Sequence, residues 1–102
     1  MKSFLQEDKL ILQAQFDLVS SKVQEYVMRS VDFFDVAGEF NEVILDISIV
    51  DNIDSTGITF VIGLYKAAIN KGKKFHVIGM HADIYHVFQL IKLNEIFDIE
   101  MA

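Results

Sequence analysis

Val43 to Lys71 reads VILDISIVDNIDSTGITFVIGLYKAAINK, and the fold follows from how this stretch divides. Its opening, Val43-Ile44-Leu45 with Ile47, is a short apolar run rich in β-branched residues, the composition of a buried strand. Acidic and small residues follow: Asp46, Ser48, Asp51, Asn52, Asp54, Ser55, Thr56 and Gly57. Apolar residues then return at Ile58, Val61, Ile62, Tyr65 and Ile69, which is helical spacing. The stretch therefore predicts a strand, a tight acidic loop and a helix. Ser55 stands at or beside the helix start, where either Asp54 or Ser55 is placed to accept hydrogen bonds from the first unpaired amides.

A helix start presents free N–H groups and the positive end of the dipole, so it can accommodate a phosphate. Phosphorylation of Ser55 would add about −1.5 to −2 charges there. Asp51 and Asp54 would repel that group, so the modification alters a local surface potential more than the fold. The plainer alternative is that Ser55 simply caps the helix.

The helix has a second apolar side. Phe60, Leu64 and Ala67, with Gly63 nearby, lie opposite the Ile58–Val61–Ile62–Tyr65–Ile69 stripe. A helix that is apolar on two sides is either buried all round or offers a surface to a partner. On the second reading, Phe60, Gly63 and Leu64 join Ser55 in a docking patch.

Working outward, Ser3–Gln6 reads as a first strand and Lys9–Phe16 as a second, turned at Glu7-Asp8 into a hairpin. A helix is predicted from Ser20 or Ser21, where Ser21 and Gln24 fit a capping box. Its apolar face is Val23, Tyr26, Val27, Val31 and Phe34, and Ala37-Gly38 ends it. Beyond the central helix, Asn70-Lys71-Gly72 is a helix stop. Lys73–Ile78 reads as a strand broken by Gly79. Asp83 is placed to cap a third helix with core face Ile84, Val87, Phe88 and Ile91. Ile96–Ile99 reads as the last strand. The order β-β-α-β-α-β-α-β implies an α/β fold, a mixed central sheet packed with about three helices.

The 102 residues, 52% of them hydrophobic, suit one domain over residues 1–102. Net charge −6 argues against nucleic acid and points toward a more basic protein as partner. No apolar run approaches the roughly 18 residues needed to span a bilayer, and Gln6, Glu7 and Asp8 interrupt any signal-peptide core. With no Cys, disulfides and thiolate zinc sites are excluded, which fits a reducing cytoplasm.

Catalytic and cofactor chemistry finds little support. Ser55 lies outside any Gly-x-Ser-x-Gly elbow, and His76, His81 and His86 lie far from it in sequence. His81 and His86 are spaced i, i+5, which does not bring both to one helix face as a metal pair. The Asp51–Gly57 loop lacks the alternating ligands and terminal Glu of a calcium loop. No Walker-type Lys follows Gly57. The expectation is a protein that is not an enzyme, with no catalytic residue, metal or cofactor.

The stretch resembles the signature of STAS domains, in particular the anti-sigma factor antagonist branch. The matching residues are Leu45-Asp46-Ile47-Ser48, Val50 and Ile53-Asp54-Ser55-Thr56-Gly57-Ile58, continued by Ile62-Gly63-Leu64-Tyr65-Lys66. In that family the serine directly after the Asp is phosphorylated, which falls on Ser55. Leu12-Gln13-Ala14-Gln15-Phe16-Asp17 stands where the family has Leu-x-Gly-x-Leu-Asp. Asp17 thus takes the place of an acidic residue near the phosphorylation loop, while Ala14 departs from the family Gly. Many members carry a final helix, which is expected to be missing or minimal in a sequence ending at Ala102. The resemblance implies partner binding through Asp17, Asp54, Thr56 and Gly57, beside the Phe60, Gly63 and Leu64 patch. It implies that the unphosphorylated form binds an anti-sigma factor that is also a serine kinase and so releases a sigma factor. Phosphorylation would switch this off, and a PP2C-type serine phosphatase would restore it. A homodimer is compatible with the family. The alternative is a STAS subunit without a switch, a scaffold in a signalling assembly or a lipid-transport ABC complex.

Overall fold

The computed structural model describes residues 1–24, 26, 34 and 38–102. Its framework is a five-stranded sheet in which sequence order is also spatial order. β1 (Lys2–Gln6) and β2 (Lys9–Gln13) form an antiparallel hairpin, with Glu7 at the turn in a left-handed conformation, φ 57°. β3 (Glu42–Asp46), β4 (Lys74–Met80) and β5 (Asp98–Met101) follow, each parallel to its predecessor. The predicted mixed sheet is present. Parallel neighbours joined by right-handed crossovers put successive helices on one face. Accordingly Val23 of α1 (Ser20–Val23), Phe60 and Leu64 of α2 (Ser55–Asn70), and Ile84 and Phe88 of α3 (Ala82–Leu90) share one core with Leu10, Leu12, Val43, Leu45 and Val77 of the sheet.

Several boundaries differ from the sequence reading, each for a local reason. β2 ends at Gln13, not Phe16, because its partner β3 ends at Asp46. There the Asp46 carboxylate accepts the Ser48 N–H at 2.9 Å and starts a turn, so Gln15 and Phe16 have no strand to pair with. Phe16 instead stacks on Tyr26, with ring planes 12° apart. The capping box at Ser21 does not form. Val19 occupies the cap position of α1 and Ser21 lies inside the first turn. The last three face positions predicted for this helix divide: Phe34 is buried, whereas Val27 and Val31, like Ala37, lie outside the described residues.

β4 runs through Gly79 to Met80 instead of breaking there. Gly79 takes φ 75°, and the pairing with β5 is irregular between Val77 and Met80. Asp83 does not cap α3: His81 occupies the cap position without a side-chain cap bond, and Asp83 lies in the first turn, where a carboxylate still favours the helix dipole. Ile91 is 46% exposed and outside the core. Ile96 is likewise exposed, while Leu93 and Phe97 turn inward. Phe97 packs with Phe75 and Tyr65, their centroids 5.1 and 5.4 Å away, which moves the last strand to Asp98–Met101.

The Asn70-Lys71-Gly72 stop is present as a Schellman motif. The Gly72 N–H reaches Ile69 O at 2.9 Å and the Lys73 N–H reaches Ala68 O at 2.9 Å, with Gly72 at φ 72°.

The buried stripe of α2 is Gly57, Phe60, Val61, Leu64, Ala67 and Ala68. This corrects the predicted docking patch: Phe60 and Leu64 are 0% exposed and belong to the core. The physical reason is size. Gly57, Ala67 and Ala68 bring the helix axis close to the sheet, and Phe60 and Leu64 fill the space between. Ile58, Ile62 and Tyr65, predicted to face the core, flank the stripe half-buried, and Ile69 is 49% exposed.

Candidate functional site

Two loops at the carboxyl end of the sheet are fastened side by side. The β2–α1 loop brings Asp17 and Leu18 against the β3–α2 loop at Asp51–Asp54. Leu18 and Ile53 form a parallel bridge, with the Leu18 N–H on Asn52 O at 3.1 Å and the Asp54 N–H on Leu18 O at 3.2 Å. Asp17 clamps the same junction. Its Oδ1 accepts the Asp51 N–H at 2.9 Å and the Asn52 N–H at 3.3 Å, and its Oδ2 accepts Asn52 Nδ2 at 3.0 Å. These donors, the Asn52 amide first and the Asp51 N–H next, hold the Asp17 carboxyl below its ordinary range.

Asp54 caps α2. Its Oδ1 accepts the Gly57 N–H at 2.9 Å, the N3 amide that such a cap ordinarily satisfies. Its Oδ2 accepts the Ser20 N–H at 2.8 Å, an otherwise unpaired donor at the start of α1. One carboxylate therefore serves two helix starts, which explains why α1 manages without a cap side chain of its own. The Ser20 N–H, then the Gly57 N–H, lower the Asp54 carboxyl below its ordinary range.

Of the two cap candidates at the helix start, the cap is thus Asp54. Ser55 occupies the first helical position, exposed, and its carbonyl accepts the Thr59 hydroxyl at 2.9 Å. Thr56 beside it is half-buried. Gly57 is buried for a reason its place in the sequence does not reveal. A Cβ there would strike the Leu18 carbonyl oxygen, lying 2.7 Å from the Leu18 carbonyl carbon and 2.9 Å from Ile53 Cγ1. Only glycine lets α2 start this close to the β2–α1 loop.

The structure thus brings Asp17, Asp54, Ser55, Thr56 and Gly57 together. Gly63 lies half-buried farther along α2, and Phe60 and Leu64 point into the core. Three participants were not assigned to this site from the sequence: Asn52, named there only within the acidic loop, Ser20, named only as a start of α1, and His81, weighed only as a metal ligand. His81 Nε2 lies 2.8 Å from Ser48 O and 3.8 Å from Asp51 Oδ1, bracing the outer turn of the loop from the start of α3. Nothing in their local sequence marks them, because each acts across more than thirty residues. Gly79 is part of the same brace, since a Cβ there would come within 3.0 Å of Asp46 Oδ1 and Ser48.

Residues 6–102 match the STAS domain family, and the chain belongs to that family. Among solved structures, the fold is similar to that of a Thermotoga maritima protein assigned as an anti-sigma factor antagonist. That pair has a TM-score of 0.84 and 22% identity, covering 99% of this chain and 86% of that one. The anti-sigma factor antagonist SpoIIAA in its unphosphorylated form gives 0.67 and 14%, over 99% and 86%. A sulfate transporter family protein from Wolinella succinogenes gives 0.77 and 14%, over 96% and 81%. At these identities the likeness is one of fold. No helix among the described residues is long and apolar enough to cross a membrane.

Proposed function

We propose that this protein is an anti-sigma factor antagonist that works as a phospho-switch and catalyses nothing itself. The unphosphorylated form binds an anti-sigma factor that is also a serine kinase, and so frees a sigma factor. The kinase moves the γ-phosphoryl of ATP onto Ser55 Oγ, releasing ADP and the hydroxyl proton. A PP2C-type phosphatase hydrolyses the resulting O–P bond with water and returns inorganic phosphate. The observation that carries this reading is the position of Ser55. Its hydroxyl is exposed at the first position of α2, and the capping role that would otherwise explain a serine there belongs to Asp54. A dianion at that place sits next to Asp54, in the same loop pair that carries Asp17 and Asp51, so a surface complementary to the neutral form meets extra negative charge and a desolvation cost.

The test is affinity for a purified serine kinase of this anti-sigma class. Ser55→Ala is expected to bind as the unmodified protein does, and Ser55→Asp about tenfold or more weakly. Equal binding by both would refute the switch. A second reading keeps the fold and drops the switch: a scaffold subunit of a larger assembly. The fold it shares with a sulfate transporter family protein favours this reading, and there Ser55 is an ordinary exposed first-turn residue.

A further inference from the structure

Asp54, the neighbour of Ser55, is bonded directly to the start of α1. Its Oδ1 holds the Gly57 N–H in its own helix and its Oδ2 holds the Ser20 N–H, thirty-four residues away in sequence. The two bonds differ in what supports them. The bond to Gly57 is local and follows from helix geometry. The bond to Ser20 exists only while the carboxylate keeps its orientation, and Ser20 is exposed, so water can replace Asp54 there at little cost.

We infer that Asp54 is a latch between the starts of α1 and α2, and that a phosphoryl group on Ser55 opens it on the α1 side. The inference rests on the reading of Ser55 as the modified residue. A phosphate on the first helical residue seeks the same free amides at the start of α2 that Asp54 now occupies. It also repels the Asp54 carboxylate from the adjacent residue. The phosphate takes over the Gly57 N–H and the repelled carboxylate turns. Because Oδ1 and Oδ2 belong to one rigid group, the bond to Ser20 is lost with that turn, and water replaces it at the exposed amide. The rest of the junction stays fastened, because the Leu18–Ile53 bridge and the Asp17 clamp on Asp51 and Asn52 do not involve the Asp54 side chain. The change is therefore confined to the first turn of α1. There Ser20, Ser21, Lys22 and Gln24 line a surface recess of about 390 Å³. A partner touching both loops would sense the modification at two places.

The experiment uses the full chain with phosphoserine incorporated at position 55 and needs no partner. Amide proton shifts and exchange rates of Ser20, Asp51, Asn52 and Gly57 are compared with those of the unmodified protein. The expected result is an upfield shift of the Ser20 amide with exchange about tenfold faster, a tenfold change being what the loss of one such bond produces, while Asp51 and Asn52 stay in place. In the unmodified chain, Asp54→Asn is expected to move Ser20 in the same direction. An unchanged Ser20 amide in the phosphoserine protein overturns the latch. If that protein nevertheless loses affinity for the serine kinase, the switch stands and the latch alone is wrong. If the affinity is also unchanged, the switch fails independently.

Discussion

Gly57→Ala sets two well-known effects against each other. Alanine in place of glycine inside a helix ordinarily stabilises by about 1 kcal/mol. Here the new Cβ would lie 2.7 Å from the Leu18 carbonyl carbon and 2.9 Å from Ile53 Cγ1, on top of the Leu18 carbonyl oxygen. Ordinary carbon contacts need about 3.5–4.0 Å, so α2 must retreat by roughly 1 Å. The two backbone bonds joining the loops, Leu18 N–H to Asn52 O at 3.1 Å and Asp54 N–H to Leu18 O at 3.2 Å, already lie near the long end of the range. A retreat of that size breaks both, at about 1 kcal/mol each. It also loosens the buried contacts of Val61 and Leu64, for about another 1 kcal/mol. Offset by the propensity gain, the net loss is about 2 kcal/mol, or about 10 °C in melting temperature for a chain of this size. Thermal and urea unfolding followed by circular dichroism measure it. An unchanged or raised midpoint would show that the loops do not depend on this close approach.

Gly72→Ala tests the opposite case, open space but a left-handed φ of 72°; it is expected to cost about 1–2 kcal/mol in urea unfolding with the loops at Ser55 undisturbed. Leu64→Ala removes a fully buried side chain and is expected to cost about 2–5 kcal/mol; a loss below about 0.5 kcal/mol would return Leu64 to the surface role that the two-sided apolar pattern suggested. Asp17 and Asp54 are both depressed below the ordinary aspartate value of 3.8 when folded. The unfolded chain therefore binds more protons in the acid range, and the stability they contribute is present above that value and lost as pH falls through the folded ones. Stability measured between pH 7 and pH 2 should drop on the acid side, and Asp17→Asn should flatten that drop; parallel profiles would remove Asp17 from the account.

How much of this was written in the sequence depended on whether a feature was local. The Val43–Lys71 pattern located β3, the acidic loop and α2 because period and composition change within a few residues of one another. The Asn70–Gly72 stop was legible because a Schellman motif closes on itself. Which side of α2 is buried was not, since Ile58 and Ile62 are as apolar as Phe60 and Leu64. The choice falls to Gly57, Ala67 and Ala68, whose small size matters only once the sheet is beside them. The start of α1 at Ser20 was legible, but what satisfies it was not, for the same reason. Ser21 and Gln24 match a capping box, yet the acceptor is Asp54, which no window around Ser20 contains. At the site, Ser55, Asp54 and Gly57 stood out by motif and Asp17 by resemblance. Asn52 and His81 became visible only when the strands brought the loops together.

The most direct test of the account is intact mass with site mapping on protein purified from its native host under growth and under stress. The account predicts one phosphoryl group, on Ser55, in a fraction that changes with condition, with Ser20, Ser21, Ser48 and Thr56 unmodified. Ser55 found unmodified under every condition would contradict the switch and favour the scaffold reading.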